Sequence, residues 1–347
     1  MTSLKRRYDV DWLRTLALGL LIIYHIVITF QPWAWYIGFI VNDKPIESLW
    51  NVMSLINIWR IPILFLISGM GVRFAMERRN TWQLLQDRTV RILLPFVFGY
   101  FFITPIIVVV VTQFYSIETN YDPGAGHLWF LANIFLYVIL LLPVMVYLKN
   151  HPDNILLRSL RWIFERPLGI LLVAIPVVME AAIVNPADFV TYAETWHGFW
   201  LGLVCFLTGF IFITVDDVFW TAIRRAWWIA LPLAFGLYLL RDDATSNAVI
   251  GLESMLWMLA ILGLGSHYLN RPSGMLRYLS QAVYPVYIVH FPVQFILSYY
   301  LIPMDLSPWV KLILLIIGTF GICLMLYEII RRIKWIRPLF GMKLRME

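Results

Sequence analysis

Arg14 and His25 stand eleven residues apart in an otherwise apolar stretch near the start of the chain. If that stretch is helical, eleven steps of about 100° make three turns plus roughly 20°, so both side chains project from one face. They are then separated by about 16 Å along the axis. An arginine at one end of such a face binds anions. A histidine farther along handles protons, because its ordinary pKa of about 6.5 lies near working pH. Asp11 lies three residues before Arg14 on the same face and is placed to pair with it. The competing reading of His25 is a hydrogen-bonded residue that packs one helix on another.

The elements that must position these residues are membrane helices. Of the 347 residues, 61% are apolar and 14% are charged, against about 25% charged in a soluble domain. The excess apolar surface has to face lipid. The 16 Trp and 17 Tyr fit the same reading, since amphipathic rings collect at membrane interfaces. A spanning helix needs roughly 20 mostly apolar residues. Ten stretches qualify: 12–31, 51–72, 92–113, 128–148, 168–184, 198–214, 227–240, 249–268, 281–301 and 309–330. The fifth contains Pro176 and the seventh is short. Lys5, Arg6 and Arg7 before an apolar run imitate a signal peptide. The run is too long, is broken by Arg14 and His25, and has no small-residue cleavage site, so it reads as a retained first helix.

Loop charge sets the expected orientation. With the N-terminus in the cytoplasm, 22 of the 27 Lys and Arg fall in cytoplasmic segments and only Lys44, Arg241 and Lys311 fall opposite. By the positive-inside rule both termini are cytoplasmic. The expected fold is therefore all-α: one polytopic bundle of about ten transmembrane helices over residues 1–347. The basic balance describes topology and does not point to nucleic acid. Cys205 and Cys323 lie inside apolar runs without ligand spacing, so neither a disulfide framework nor a metal site is expected.

Ionisable groups inside an apolar core cost energy and default to functional hypotheses. Besides Arg14 and His25 these are Arg60, Glu180, Glu253, His290 and Glu328. The three glutamates read equally well as interfacial. The loop after the second stretch carries Arg73, Arg78, Arg79, Arg88 and Arg91. Arg78 and Arg79 need nothing beyond the positive-inside rule. Arg88 and Arg91 precede Ile92-Leu93-Leu94-Pro95 and share a helical face at i, i+3. They either follow the same charge rule or frame a mouth for a phosphorylated ligand, whose oxygens guanidinium forks match. Ser68 and Gly69, in Phe65-Leu66-Ile67-Ser68-Gly69, are small residues that let helices approach closely.

Together these stretches resemble the acyltransferase 3 superfamily of membrane O-acyltransferases. The matching pieces are Asp11-x-x-Arg14, then ten residues and His25; Phe65-Leu-Ile-Ser-Gly69; Arg88-x-x-Arg91 before Pro95; His127-Leu-Trp129-Phe130-Leu131; Tyr284-x-x-Tyr287-x-x-His290; and Tyr327-Glu328. They run from residue 9 to about 328, in the family's order. Within the superfamily, the Trp-rich start and His127–Leu131 are similar to the glucan succinyltransferase branch. The resemblance implies a multi-pass protein of the cell's inner membrane. It implies acyl-CoA as a donor substrate on the cytoplasmic side, no bound cofactor, and a carbohydrate hydroxyl as acceptor. It makes His25 catalytic, with Arg14 and Asp11 assisting, and gives Arg73, Arg88 and Arg91 to the donor. Trp33, Trp35 and Trp129 would stack on a sugar. Tyr287 and His290 would orient the acceptor or stabilise the developing oxyanion. A direct transfer and a relay through an acyl group on His25 both stay open. The rival readings are a proton-coupled transporter relaying through His25 and His290, and a scaffold without chemistry.

Overall fold

A computed structural model describes residues 6–344. Lys5 and Arg345, both counted in the loop charge, lie outside the described residues. Among those residues there is no strand, as the all-α reading expects. The helical elements are α1 (Tyr8–Ile28), α2 (Leu49–Arg78), α3 (Thr81–Phe114), α4 (Gly126–Asn150), α5 (Ile155–Glu165), α6 (Gly169–Val184), α7 (Trp196–Val215), α8 (Asp217–Leu240), α9 (Asn247–Tyr268), α10 (Gly274–Leu301) and α11 (Pro308–Ile330). Among the described residues, nine are long and apolar enough to cross a membrane. α6, the fifth expected span, is shorter, and α5 is an amphipathic segment in the polar gap before it. Starts follow local capping chemistry. Asn154, Thr195 and Ser307 each accept a hydrogen bond from the backbone N–H three residues on.

Two expected helix starts change most. α8 begins at Asp217, ten residues before the expected seventh span, so Arg224 and Arg225 lie on a helix and not in a loop. Those arginines lower the local hydropathy and hide the helix's first turns. α3 likewise starts at Thr81, so Arg88 and Arg91 are helical. It is not a uniform α-helix: Thr89–Leu93 and Gly99–Ile103 are π turns. α-Helical spacing does not carry across the first of them, so the expected i, i+3 face for Arg88 and Arg91 does not apply.

The chain divides into two compact units, each assembled from several segments. One contains residues up to Ala17, Leu55–Gln86 and Asn133–Leu276. Its packing rests on close helix approach. A Cβ on Gly69 would sit 1.8 Å from the Phe206 carbonyl oxygen, and one on Gly209 would sit 1.9 Å from that of Leu66. The small residue expected in α2 is thus one half of a reciprocal contact with α7. Pro62 inside α2 has no N–H to give the Ile58 carbonyl. Ser254 Oγ donates to that carbonyl at 2.7 Å and Tyr192 Oη at 3.2 Å. Arg60 is buried and donates to Asn57 Oδ1 at 3.1 Å.

Two of the three glutamates left open by the sequence are buried here and paired. Glu180 Oε1 is 3.0 Å from His197 Nδ1, whose Nε2 donates to the Phe189 carbonyl at 3.0 Å. Glu253 pairs with Arg241 at 3.2 Å. Arg241, expected in a loop, is fixed by this buried partner.

The other unit contains Leu18–Ser54, Asp87–Ala132 and Arg277 onward. It gathers the second half of α1, most of α3, the start of α4, most of α10, and α11. Glu328 lies here and is not buried; Tyr278 Oη donates to it at 3.0 Å and Arg331 pairs with it at 2.7 Å.

The α2–α7 approach gives a direct test. Gly69→Ala must displace backbone, whereas a Cβ at Gly71 meets nothing within 4 Å. Gly69→Ala is expected to destabilise the protein by about 2 kcal/mol or more. Gly71→Ala should leave the unfolding midpoint in detergent near the wild-type value.

Candidate active site

α1 runs unbroken past both Arg14 and His25, so the eleven-residue relation between them holds along one helix. Arg14 Nη2 donates to Asp11 Oδ1 at 3.0 Å, and its side chain is 40% exposed. His25 lies in the last turn of α1 and is half-buried.

The second unit surrounds His25 with residues from α4 and α10. His25 Nδ1 is 3.1 Å from His290 Nε2, with the two rings stacked at 5.3 Å. His290 Nδ1 is 2.6 Å from the Tyr287 carbonyl oxygen. A carbonyl oxygen only accepts, so Nδ1 of His290 carries a proton. His290 is fully buried, and a charged ring there would be costly, so its Nε2 is a lone-pair acceptor. The proton between the two histidines therefore belongs to His25 Nδ1. That assignment leaves the basic lone pair of His25 on Nε2.

His127 joins from the start of α4. Its Nε2 donates to the Ile288 carbonyl at 3.2 Å. Ile288 lies four residues before Pro292, whose missing N–H leaves that carbonyl without its regular helical donor. His127 Nδ1 is then an acceptor, and it is buried without a hydrogen-bond partner. Tyr287 Oη donates to the His127 carbonyl at 2.5 Å. Phe291 packs against both rings, 4.7 Å from His25 and 4.7 Å from His127. Gln294 Nε2 donates to the His25 carbonyl at 2.7 Å.

These bonds define what Tyr287 and His290 do in this structure. Tyr287 and His290 are at the centre of the cluster, but their protons are committed to protein carbonyls. They hold histidines in place.

Aromatic rings stand close to His25. Trp33 packs edge-on against Trp50 at 5.0 Å, and Trp50 lies 6.2 Å from Tyr24, the neighbour of His25. Trp35 is exposed, and Trp129 is half-buried two residues after His127. Lys311, buried in α11, fixes the loop behind this rim by donating to Asn42 Oδ1 at 3.0 Å and to the Ile302 carbonyl at 2.6 Å.

The arginines divide. Arg91 Nη1 lies 3.8 Å from Asp87, and its Nε donates to the Gly341 carbonyl at 3.4 Å. Arg88 and Arg91 both act electrostatically on Tyr284, whose hydroxyl is buried without a partner. Arg73 belongs to the first unit. It pairs with Glu77 at 2.6 Å and acts on Asp216, in the junction between α7 and α8. Burial and the adjacent Asp217 push the Asp216 carboxyl up, while Arg7 and Arg73 pull it back. Arg73 is thus paired with carboxylates of its own unit. Among the described residues no cluster of His, Cys, Asp or Glu is suited to a metal ion.

His127 and Gln294 escaped the sequence reading as site residues. His127 stood in a quoted motif without a role, and its position three residues before Phe130 gave no sign of its bond to α10. Gln294, one turn after His290 in an apolar run, was the available signal.

A family model described as an acyltransferase domain matches residues 7–328. Two similar curated proteins are both called glucans biosynthesis protein C. The one from Shigella dysenteriae serotype 1 is 23% identical over 386 residues, covering 98% of this chain and 95% of its own. The one from Escherichia coli O157:H7 (strain EC4115) is 23% identical over 385 residues, with the same coverage. No solved structure matches.

The hydrogen-bond chain predicts protonation states that can be observed directly. In ¹⁵N spectra of histidine-labelled protein at neutral pH, His25 and His290 should be protonated on Nδ1. His127 should be protonated on Nε2. A His25 signal protonated on Nε2 alone would contradict the arrangement.

Proposed function

The chain belongs to the acyltransferase 3 family, and from that premise we propose that it moves an acyl group of the acetyl or succinyl class from acyl-CoA to a hydroxyl of a glycan. The observation that carries this reading is the His25–His290–Tyr287 chain, which puts a basic nitrogen at the end of α1. The names of the similar proteins support a glucan or related carbohydrate as acceptor. The arginine-rich ends of the helices face the cytoplasm in this reading, where the donor is found.

Arg88 and Arg91, which both act on Tyr284, take the donor's phosphates. Arg14, held by Asp11, assists from earlier on the same helix. The acceptor arrives past Trp33, Trp50 and Trp129. Its hydroxyl oxygen attacks the thioester carbonyl carbon while His25 Nε2 takes the hydroxyl proton. The tetrahedral intermediate collapses, the C–S bond breaks, and the thiolate leaves with the proton held on Nε2. The products are the acyl ester and free CoA thiol, and His25 returns to its starting state.

The end of α1 favours this proton transfer. The negative pole of a helix dipole stabilises a cation in its last turn by about 0.3–1 kcal/mol, and by up to ~2 kcal/mol when partly buried. The imidazolium formed on His25 has that position. His290 meanwhile keeps the ring turned so that Nε2, and not Nδ1, meets the substrate.

The test is purified protein with acetyl-CoA or succinyl-CoA and a glucan oligosaccharide, with free thiol and acylated glycan both measured. Thiol release should match product formation, and His25→Ala should abolish both. His290→Ala should lower kcat by about a hundredfold or more, because His25 loses its fixed tautomer. His290→Gln keeps an oxygen that accepts from Nδ1 and should retain more activity. Full activity in His25→Ala, or no thiol release with any donor, overturns the mechanism. Sequential kinetics fit direct transfer, and ping-pong kinetics would move the acyl group onto Nε2 itself.

A further inference from the structure

We propose that Gln294 is a positioning residue for His25, a role that rests on His25 being the base. α1 does not end as a regular helix. The N–H groups of Thr29, Phe30 and Gln31 bond three residues back, to the carbonyls of Ile26, Val27 and Ile28. In an α-helix the Thr29 N–H would serve the His25 carbonyl, four residues earlier. The Thr29 N–H instead reaches the Ile26 carbonyl at 3.2 Å, a tightening common at helix ends. Gln294 Nε2 donates to the His25 carbonyl from α10 at 2.7 Å.

α10 therefore holds His25 at two points. His290 takes the proton on Nδ1 and Gln294 grips the backbone carbonyl, one helical turn farther along α10. One bond orients the ring and the other fixes the main chain from which the ring projects. The sense of the Gln294 amide is determined, because turning it over would set its oxygen against the His25 carbonyl oxygen. In the observed sense Gln294 Oε1 is buried without a partner. An unmet buried acceptor is costly, and a methionine or leucine would fill similar space without it. The residue is thus explained by its donor half and not by packing.

The test uses the full chain in lipid nanodiscs, with Gln294→Met and Gln294→Leu as two variants of similar size that cannot donate. Histidine ¹⁵N spectra are the primary readout, with the His25 signals identified by their loss in His25→Gln. In both variants the His25 signals should change from a single Nδ1–H tautomer to a mixture, while those of His127 stay. With acetyl-CoA or succinyl-CoA and a glucan oligosaccharide, kcat should fall between about tenfold and a hundredfold. KM for the acceptor should stay within about twofold, as for a group that acts through the base and not on the substrate. Wild-type His25 signals in either folded variant overturn the proposal, even if kcat falls, because the loss would then be merely structural. Full activity in His25→Gln would instead remove the general-base reading. The spectra would still decide whether Gln294 holds His25.

Discussion

The hydrogen bond from His290 Nδ1 to the Tyr287 carbonyl is the constraint from which the chemistry of the site follows. It is a short-range bond within one helix, and it fixes which nitrogen of His290 bears a proton. Through the 3.1 Å contact between the rings, it fixes the same for His25. A chain of two neutral imidazoles ending on a backbone oxygen has one consistent pattern of donors and acceptors. Had the terminal group been a hydroxyl, which both donates and accepts, either tautomer of His25 would satisfy it. The carbonyl removes that ambiguity and leaves the basic lone pair on Nε2.

The same economy of carbonyls appears in both units. In a membrane, a backbone oxygen released by proline cannot rely on water and must find a donor from the protein. Pro62 releases Ile58, which Ser254 and Tyr192 serve. Pro292 lies four residues after Ile288, which His127 serves. At the end of α1, Gln294 serves the His25 carbonyl. In each case a helix irregularity is tied to another segment by a polar side chain. In the second unit two of these ties converge on the histidine cluster. The irregularities that a helix would ordinarily suffer as defects are here what brings His25, His127 and His290 together.

This explains what could and could not be read along the chain. The Arg14–His25 relation was legible because it depends only on the pitch of one unbroken helix. So were most spans, since twenty apolar residues have few other uses. The relation between Arg88 and Arg91 was not, because the π turn Thr89–Leu93, which contains Arg91, breaks the α-helical periodicity. The first turns of α8 were hidden by Arg224 and Arg225, which read as loop charge. Glu180 and Glu253 stayed open because their partners, His197 and Arg241, are distant in sequence or looked solvent-facing. His127 and Gln294 show the same limit more sharply. Each bonds a backbone carbonyl more than 150 positions away, and a carbonyl carries no mark of residue type.

A histidine at position 290, where a base is more familiarly oriented by a carboxylate, suits the surroundings. A buried carboxylate would hold a full charge in the apolar core before any substrate arrives, at a cost of several kcal/mol. His290 orients the ring just as well while staying neutral. The difference appears during turnover. A carboxylate would stabilise the imidazolium on His25 by direct attraction. His290 can offer a lone pair and no charge, so the dipole at the end of α1 must supply most of the electrostatic support. The cation then exists only between removal of the hydroxyl proton and its delivery to the leaving thiolate. A neutral resting pair with a charge that appears only in transit is the arrangement that an apolar core tolerates best.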